Sequence, residues 1–497
     1  MKRLPYTIFI LIFFLYSQTS IAQLWYKTQG LVDEDRAWAV DTDEEGNIYW
    51  AVEQKDISPF LYYNITLFKI SPASSIIWQT PSWGGDFNDI AFIAKVNNDK
   101  VYLGGRQDST FVPNLGDALL MSFNTIDGEM NWFKVWSQGP GYEEIDGLVV
   151  QPDGIYLSGW TYDADSDMDF LISKATVNGQ LAYTNSWDYE GLGKFDGANG
   201  HLAMDDNYFY VAGHINRTNI ASFDGDMGLV CFNRLDGEYQ WHVTWGGWLY
   251  DDALGMTMSS DSMLFVTGYT GSFGNGSQNY LNKYNRSGDL IWSKLWGGSG
   301  AEDSRSVVAD GDSVVYVVGS TSSYGSGDYD VFVLKYDDEG NLTDTLFWGG
   351  AFKDVAHDAV LFGEYLYITG ETGSYGNGAS SGNHKTDGLL LKINARTMQA
   401  PDATMTSLIE REGSEKDCGL TIYPNPGNRA FYFKFITENG PANFSQIQVT
   451  DMNGKVVLNQ TYPTETFVLP DYLPCGLYFY NLTFQNGKFC SGKLILQ

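Results

Sequence analysis

Apolar and polar positions alternate along most of this chain, in short runs separated by clusters of Gly, Asp and Ser. Residues 290–350 show the pattern most completely. Three runs of strand length lie between two Trp-Gly-Gly triplets, and a fourth run leads into the second triplet. Alternation with a period of two predicts β-strands, and the Gly, Asp and Ser clusters predict turns. Four short strands in about fifty residues are typical of one β-propeller blade.

The same repeat recurs along the chain. Its second strand, in which an aromatic residue stands between apolar neighbours, occurs seven times, and so do its acid-led first strand and its third strand. The last repeat lacks a fourth strand, whereas residues 24–27 (LWYK) match residues 291–294 (IWSK). Because pairing the two ends removes an exposed sheet edge, the sequence predicts a seven-bladed β-propeller closed by the N-terminal strand. Irregular repeats at Trp136 and Trp187 leave six or eight blades open.

Composition agrees with an all-β fold. Aromatic residues make up 15% of the 497 residues and 55 residues are Gly, a mixture that suits twisted strands and tight turns. The formal net charge of −31 at pH 7 argues against binding of nucleic acid through its phosphates. We therefore predict no nucleic acid partner.

The N-terminus has the pattern of a secretory signal peptide. Lys2 and Arg3 precede an apolar run at residues 8–16, and small side chains at residues 20–22 suit a cleavage site. The apolar run is too short to span a bilayer permanently. We predict a signal peptide at residues 1–22, an exported chain that is not transmembrane, and a propeller at residues 23–398.

A second region follows the propeller. Residues 399–417 are mostly short, polar or charged and predict a linker. Residues 418–497 alternate again and contain two Asn-Gly hairpin turns, which predicts a small antiparallel β-sandwich. One disulfide among Cys418, Cys475 and Cys490 suits an exported protein, and three positions leave its pairing open.

Residues 418–497 resemble the type A sorting domain of the type IX secretion system, found in secreted proteins of the Bacteroidota. The resemblance rests on three segments in the expected order: YPNP, then DMNGKV, then LPCGLY with a final KL. The residues that carry it are Pro424, Asn425, Pro426, Asp451, Gly454, Gly476, Tyr478 and Lys493. It implies passage through the type IX secretion machinery and a chain that is secreted or attached to the outer-membrane surface.

The region before the linker resembles the β-propeller repeats called SBBP repeats, as in residues 319–342 (GSTSSYGSGDYDVFVLKYDDEGNL) and the Trp-Gly-Gly that follows. This resemblance implies a fold and leaves the function open, because propellers host enzymes, binding proteins and scaffolds alike. Two segments, IDGEMNW and LDGEYQW, are similar to turns of quinone-dependent dehydrogenase propellers. Those proteins have eight blades and a longer Asp-Gly spacing, so we give this similarity little weight.

Three aromatic residues stand at equivalent positions in the loop between the second and third strands: Phe273, Tyr324 and Tyr375. Flat rings beside Asn and Ser suit stacking against sugars, with hydrogen bonds to the hydroxyl groups. The alternative is that the rings fold back and plug their loops. The three residues are candidate glycan contacts, with the plugging alternative left open.

An acidic residue leads the first strand of every repeat, so these residues recur around one end of the predicted axis. Paired carboxylates there could act as acid and base on a glycosidic bond, whereas repetition in every blade favours capping of backbone N–H groups. Our candidates for ligand contact are Asp252, Asp303 and Asp354. The full set begins near Asp35, Asp89, Glu144, Asp196, Asp252, Asp303 and Asp354.

Other candidate chemistry is sparse. The five His residues are scattered over different repeats without the spacing of metal ligands. Alternating Asp residues at positions 163–169 could offer carboxylates to calcium, although solvated turn residues are the favoured interpretation. We predict no catalytic residue, no bound metal site and no cofactor, with calcium as the one ion left open.

These observations favour a binding or scaffold protein over an enzyme. We predict a secreted or cell-surface propeller with a glycan or another surface polymer as ligand. The alternative is a propeller hydrolase or lyase that acts on polysaccharide through Asp residues facing the channel.

Overall fold

The chain folds into strands, as the period-two pattern predicts. The computed structural model describes residues 24–30, 34–55, 62–85, 87–108, 116–137, 141–162, 168–189, 196–216, 225–274, 276–376, 385–401, 420–423, 430–435, 444–450, 456–461, 466–470, 473, 476–484 and 489–496. Two compact units divide the chain, Met1–Thr404 and Met405–Gln497. The predicted signal peptide and most of the predicted linker lie outside the described residues.

The first unit is a propeller of seven four-stranded antiparallel blades, which confirms the predicted fold class and blade number. Blades 1 to 6 each use four consecutive strands, beginning with β2, and blade 7 uses β26, β27, β28 and β1. The strands are β1 (Trp25–Gln29), β2 (Arg36–Thr42), β3 (Ile48–Lys55), β4 (Tyr63–Ile70), β5 (Ile76–Gln79), β6 (Asp89–Asn97), β7 (Lys100–Asp108), β8 (Gly116–Asn124), β9 (Met130–Trp136), β10 (Glu143–Gln151), β11 (Gly154–Tyr162), β12 (Met168–Ala175), β13 (Leu181–Trp187), β14 (Leu202–Met204), β15 (Tyr208–Asn216), β16 (Gly225–Asn233), β17 (Tyr239–Trp245), β18 (Asp251–Met258), β19 (Leu264–Thr270), β20 (Gln278–Tyr284), β21 (Leu290–Trp296), β22 (Glu302–Asp310), β23 (Val314–Thr321), β24 (Asp330–Asp337), β25 (Leu342–Trp348), β26 (Asp354–Phe362), β27 (Tyr365–Thr372) and β28 (Asp387–Asn394).

The N-terminal strand closes the ring, as predicted. Strand β1 is the outermost strand of blade 7 and pairs antiparallel with β28, from Trp25 opposite Lys392 to Gln29 opposite Gly388. This pairing satisfies backbone groups of β28 that would otherwise form an open sheet edge. The first and last segments of the propeller are therefore joined by a hydrogen-bonded ladder.

The first strand of each blade lies next to the propeller axis. First strands of neighbouring blades contact one another all the way around the ring: β2, β6, β10, β14, β18, β22 and β26. Side chains that leave these strands towards the centre therefore meet side chains from the other blades.

Apolar side chains of the second and third strands fill the space between blades. The aromatic residue predicted in the middle of the second strand is at most 2% exposed in every blade. Burial of one such ring contributes about 2–3 kcal/mol to folding, so this position repeats because the packing requires it. The residues are Tyr49, Tyr102, Tyr156, Tyr210, Phe265, Tyr316 and Tyr367.

A β-bulge interrupts the first strand and explains a repeated glycine on the second. In blade 5 the pairing skips one residue between Ala253 and Gly255. A Cβ atom on the facing Gly268 would lie 2.0 Å from the backbone oxygen of Asp252. The bulge thus brings a carbonyl group to the place of a side chain, and only glycine fits there. The same close approach occurs at Gly105, Gly159, Gly213, Gly319 and Gly370.

The second unit contains two antiparallel sheets in its described residues, one of order β29-β30-β33 and one of order β32-β31-β34-β35. The predicted β-sandwich stays a prediction. The predicted disulfide depends on Cys418 and Cys475, which lie outside the described residues. The strands are β29 (Leu420–Tyr423), β30 (Ala430–Phe435), β31 (Phe444–Thr450), β32 (Val456–Thr461), β33 (Thr466–Val468), β34 (Gly476–Phe484) and β35 (Phe489–Leu496).

Candidate functional site

A ring of buried acids holds the loops at one end of the propeller. In blade 7, Asp354 Oδ2 accepts the Gly350 N–H at 2.7 Å and Asp354 Oδ1 accepts the Thr372 hydroxyl at 2.5 Å. Gly350 is the second glycine of a Trp-Gly-Gly triplet, and a Cβ on the first, Gly349, would collide with Asp330 and Asp354. The triplet therefore repeats because it lets the chain pass against a carboxylate. The acids of the ring are Asp35, Asp89, Glu143, Asp196, Asp251, Glu302 and Asp354, each at most 1% exposed.

In three blades this ring uses the residue before the one that the sequence pattern suggested. The buried caps are Glu143, Asp251 and Glu302, whereas the sequence pattern gave the strands as beginning near Glu144, Asp252 and Asp303. Each of these blades begins with two adjacent acids, and neighbouring side chains of a strand point to opposite faces. One acid of each pair thus caps the loop, and the second is directed elsewhere. The acid-led start of the strand is thus found within one position of the predicted residue in these three blades, and Asp252 and Asp303 stay candidates for ligand contact.

The residue skipped by each bulge points to the axis, and together these residues line one cavity of about 290 Å³. A bulge leaves its extra residue unpaired and redirects its side chain. Every blade contributes one: Trp38, Phe92, Asp146, Asn199, Leu254, Arg305 and His357. Glu144 and His201 complete the lining.

Sequence analysis missed this set, although a signal for it exists. Each bulge residue stands three positions after the capping acid and directly after an apolar or small residue, as in DRAW, DIAF and DVAH. The capping acid repeats as Asp or Glu, but the third position after it holds seven different residue types. The variable third position can be recognised as a cavity residue only when the bulge that turns its side chain towards the axis is known.

Blade 4 departs from the other blades at the cavity. Between the pairs Gly197–His214 and Leu202–Val211, the first strand advances five residues while its neighbour advances three. Blade 4 therefore has one more inserted residue than the other blades, and His201 lies in this insertion. Its Nε2 atom lies 3.7 Å from Asp358 Oδ1 of blade 7, so the imidazole contacts the opposite side of the ring.

Blades 7, 1 and 2 contribute an aromatic cluster. The Trp38 ring stacks on His357 with centroids 3.8 Å apart and meets Phe92 edge to face at 5.8 Å. Arg305 Cζ lies 5.5 Å from the centre of the same indole. The Trp38 Nε1–H donates to Glu53 Oε2 at 3.2 Å. Burial raises the pKa of Glu53 to about 8, so this carboxyl group is mainly protonated at neutral pH.

Blade 3 contributes two carboxyl groups that contact each other. Glu144 Oε2 accepts the Arg106 guanidinium at 2.9 Å, and Glu144 Oε1 accepts the Trp160 indole N–H at 2.5 Å. Burial raises the pKa of Glu144 to about 7. Burial also raises the pKa of Asp146 well above its usual value, and a hydrogen bond with Glu144 adds to this. Because Glu144 holds two donors and Asp146 faces the cavity, Asp146 is the carboxyl group that carries the proton.

Blade 4 adds an amide next to a His–Asp pair. The Asn199 side-chain N–H donates to Asp252 Oδ2 at 3.1 Å and lies 3.0 Å from His214 Nδ1. His214 Nδ1 and Asp252 Oδ1 are 3.6 Å apart. Asp252 therefore fixes the orientation of a residue that lines the cavity. Asp303 likewise orients a cavity residue, because its Oδ2 accepts a hydrogen bond from the Arg305 Nε–H at 3.2 Å.

The candidate aromatic residues of the loops lie away from this cavity. Tyr324 packs on Trp296 with centroids 5.2 Å apart, and its hydroxyl donates to the Gly297 carbonyl at 3.0 Å. Tyr375 and Phe273 pack in the same way on Trp348 and Trp245. All three rings are half-buried. This placement agrees with the plugging alternative, and Asp354, in its capping role, supports the same loop.

The structure describes part of the predicted sorting motif. Gly476 lies on β34 opposite Leu496, and Lys493 lies on β35 opposite Phe479. Tyr478 is buried at 3% exposure. The other residues of the motif fall outside the described part of the chain: Pro424, Asn425, Pro426, Asp451 and Gly454.

The described residues show neither a metal cluster nor a membrane-spanning helix. Within them, no group of three or more His, Cys, Asp or Glu side chains is arranged to hold a metal ion. Positions 163–167 of the calcium candidate lie outside them. The described residues also contain no helix long and apolar enough to cross a membrane.

Residues 421–497 match a family model described as "Secretion system C-terminal sorting domain". No curated protein matches the sequence significantly. Several solved propellers are similar at low identity. The alignment with the β-propeller domain of the Trilobed protease from Pyrococcus furiosus has 8% identity and a TM-score of 0.42, and it includes 76% of this chain and 100% of that domain. The alignment with the WD40 β-propeller domain of Doa1 has 10% identity and a TM-score of 0.42, and it includes 76% of this chain and 99% of that domain. The alignment with a europium-containing methanol dehydrogenase has 9% identity and a TM-score of 0.43, and it includes 74% of this chain and 92% of that protein.

Similarities to solved structures at this level give no indication of activity. The sorting domain, by contrast, indicates destination. It shows that the chain is exported through the type IX secretion machinery and is then attached to the cell surface or secreted. The chain is therefore an exported seven-bladed propeller that ends in a secretion-system sorting domain.

Proposed function

We propose that the propeller binds a hydroxylated ligand, one sugar unit of a glycan or other surface polymer, in the axial cavity. The observation that carries this proposal is that each blade sends a different residue into one cavity, although the residues that hold the fold repeat almost unchanged. A lining that served only packing would have no reason to differ in every blade. Aromatic rings beside amide, carboxyl and guanidinium groups suit the two faces and the hydroxyl groups of a sugar.

The remaining sequence predictions belong to the same proposal. In it, the mature chain starts at Gln23, residues 399–417 link the propeller to a sorting domain at residues 418–497, and the repeats are of the SBBP type. The resemblance to type A sorting domains further suggests a member of the Bacteroidota. The propeller then presents its cavity outside the cell.

Calorimetric titration of the full mature chain with sugars selected on a glycan array tests the proposal. We expect Asn199→Ala to weaken binding about tenfold, since a lost hydrogen bond is worth roughly 1–1.5 kcal/mol. Trp38→Phe should weaken it similarly, because the indole stacks on His357 and contacts Arg305 and so holds both side chains at the cavity. Tyr324→Phe and Tyr375→Phe are the matched controls, because their rings lie in the loops. Loss of binding in the loop variants alone would place the ligand at the loops instead.

A second candidate function is favoured by the contact between Glu144 and Asp146. Carboxyl groups this close share a proton, so Asp146 can act as an acid on a glycosidic oxygen. The two groups are too close for a glycosidase pair, whose carboxyl groups lie at least about 5 Å apart. The enzyme hypothesis therefore assigns Asp146 as acid, with the base supplied by another lining residue. Release of reducing ends from an array ligand, abolished by Asp146→Asn, would establish turnover, and unchanged polymer length would leave binding as the function.

A further inference from the structure

We infer that the axial cavity selects an acidic sugar, a hexuronic acid unit whose carboxylate lies between His357 and Arg305 and whose hydroxyl groups face Asp146. This inference rests on the proposed function and names the ligand class for that site. It follows from the separation of donors and charges across the cavity.

His357 requires a partner that the protein does not provide. Its side chain is 7% exposed, it lines the cavity, and neither ring nitrogen has a hydrogen-bond partner among the described residues. Its face is already occupied by Trp38. Buried imidazole nitrogens are rarely left unpaired, so the free ring edge is suited to a ligand that accepts or donates a hydrogen bond.

Arg305 offers the second contact for a carboxylate. Asp303 Oδ2 lies 3.1 Å from one terminal nitrogen of Arg305 and also accepts its Nε–H. No other hydrogen bond to this guanidinium is found in the part of the chain that the structure describes. The remaining N–H groups are therefore available on the cavity side. A guanidinium edge matches the two oxygens of a carboxylate.

Cationic side chains lie around the half of the cavity that contains His357. Burial lowers the pKa of His357 well below its usual value, and Arg305, Lys353 and Arg36 lower it further. The Arg36 charge is poorly compensated at neutral pH, because its neighbour Glu53 is mainly protonated. Lys353 is paired with Glu371 at 2.6 Å, so the contribution to anion binding comes from the Arg305 guanidinium, which lines the cavity and keeps N–H groups beyond those that Asp303 accepts.

The opposite half is suited to neutral oxygen atoms. The Asp146 proton is engaged by Glu144, whereas Asp146 Oδ2 has no hydrogen-bond partner among the described residues, and the Asn199 amide lies in the next blade. Sugar hydroxyl groups can donate to a carboxyl oxygen of this kind, so the neutral side of a sugar fits there. The two halves thus distinguish the charged end of a hexuronic acid from its neutral end.

The size of the cavity limits the ligand to one ring. Its volume of about 290 Å³ is at the lower end of the range of about 300–1,000 Å³ for pockets that hold drug-sized molecules. A single hexuronic acid, or the terminal unit of an acidic polysaccharide, is the matching size. A longer oligosaccharide would continue outside the cavity.

The test is calorimetric titration of the full mature chain with galacturonate and glucuronate, and with galactose and glucose, at pH 7. We expect at least one acid to bind about tenfold or more tightly than its neutral counterpart. Arg305→Gln should remove this preference while weak binding of the neutral sugar persists. Arg286→Gln changes the net charge equally at an exposed site and should preserve the preference.

The outcomes distinguish binding of a sugar in the cavity from preference for an acidic sugar. Equal affinity for acid and neutral sugars would overturn the inference and leave the proposed function standing. Absence of binding for all four sugars, and for array glycans, would overturn both. The comparison among sugars uses the wild-type chain, so it remains decisive if Arg305→Gln fails to fold, and His357→Gln is the second variant for the same preference.

Discussion

At the scale of single residues, two adjacent acids at the start of a first strand have different roles: one holds a loop, and the other contacts a residue that lines the cavity. Asp251 accepts the Gly247 N–H at 2.8 Å and holds its loop, whereas Asp252 accepts the amide of Asn199 at the cavity. The two side chains are neighbours in sequence and lie on opposite faces of the strand. The same carboxylate group therefore caps a loop at one position and orients a cavity residue at the next, and the position along the strand determines its role.

The glycine that faces the bulge in blades 2 to 7 provides a direct test of this register. Gly105→Ala would place a Cβ 1.9 Å from the backbone oxygen of Ile90, so the strand must shift. We expect a loss of about 3 kcal/mol in the free energy of unfolding, at the upper end of overpacking effects. All 15 Trp residues lie between positions 25 and 348, so Trp fluorescence during urea unfolding reports on the propeller alone.

Gly85→Ala is the matched control in the same blade. No atom lies within 4 Å of a Cβ built at this position, so its unfolding midpoint should stay close to that of the wild type. Equal midpoints for Gly105→Ala and Gly85→Ala would contradict the proposed role of the bulge.

The carboxyl pair formed by Glu144 and Asp146 should make the stability of the propeller depend on pH. The pKa of Asp146 is raised in the folded state, so the folded chain keeps a proton that the unfolded chain releases above its ordinary pKa of about 4. The stabilisation from this proton is complete at low pH and is lost as pH rises through the folded pKa. Asp146→Asn cannot lose it, so the variant should gain at least ~1 kcal/mol over the wild type between pH 5 and pH 8.

Urea unfolding of both proteins at the two pH values measures this difference, and titrating groups that do not contact Asp146 contribute equally to both. A second comparison in the Glu144→Gln background removes the contribution of its hydrogen-bonded partner. Asp206→Asn, at an exposed position between β14 and β15, should show no such change. A stability difference between Asp146→Asn and wild type that is the same at pH 5 and pH 8 would rule out the buried proton.

At the scale of elements, closure by β1 is the contact that turns a row of blades into a ring. The strand buries Trp25 to 9% exposure, and the Trp25 indole donates to the Pro72 carbonyl of blade 1 at 3.1 Å. Deletion of residues 24–29 removes this ring and the ladder to β28. Since loss of one buried Trp alone costs about 3–5 kcal/mol, we expect a large fall in the unfolding midpoint and association through the open β28 edge.

Size-exclusion chromatography and Trp fluorescence would detect both effects, and a peptide of residues 23–30 added in trans should reverse them. A double substitution of Lys27 and Gln29 by Ala keeps the backbone ladder and should elute at the same volume as the wild type. An unchanged midpoint after the deletion would show that the ring does not depend on this strand.

The elements could be predicted from the sequence, and the cavity could not. Blade number and closure follow from periodicity, because every strand alternates and the missing outer strand has its match at residues 24–27. Doublets of acids such as Asp251 and Asp252 fit the repeat equally well in two registers, so the sequence alone does not say which of the two caps the loop. Trp38 and His357 break the period of two at a bulge, and residue type alone marks no bulge.

At the scale of the whole molecule, the chain combines a closed propeller with a sorting domain for export. The two units have separate tasks, because the cavity is built entirely from residues of the first unit and the sorting-domain match lies entirely in the second. Ligand binding should therefore be independent of the sorting domain, whereas location should depend on it. This separation allows the two roles to be tested in one experiment.

Deletion of residues 418–497 should leave the chain in the periplasm, since the remaining chain keeps its predicted signal peptide but lacks the domain that the type IX machinery recognises. Cell fractionation and surface labelling would show where the truncated chain resides. The deleted segment fused behind a reporter protein with a signal peptide is the converse control, and it should carry the reporter to the surface or the medium. Normal surface display of the truncated chain would contradict the assignment of the sorting domain, because export would then depend on residues that belong to the propeller itself.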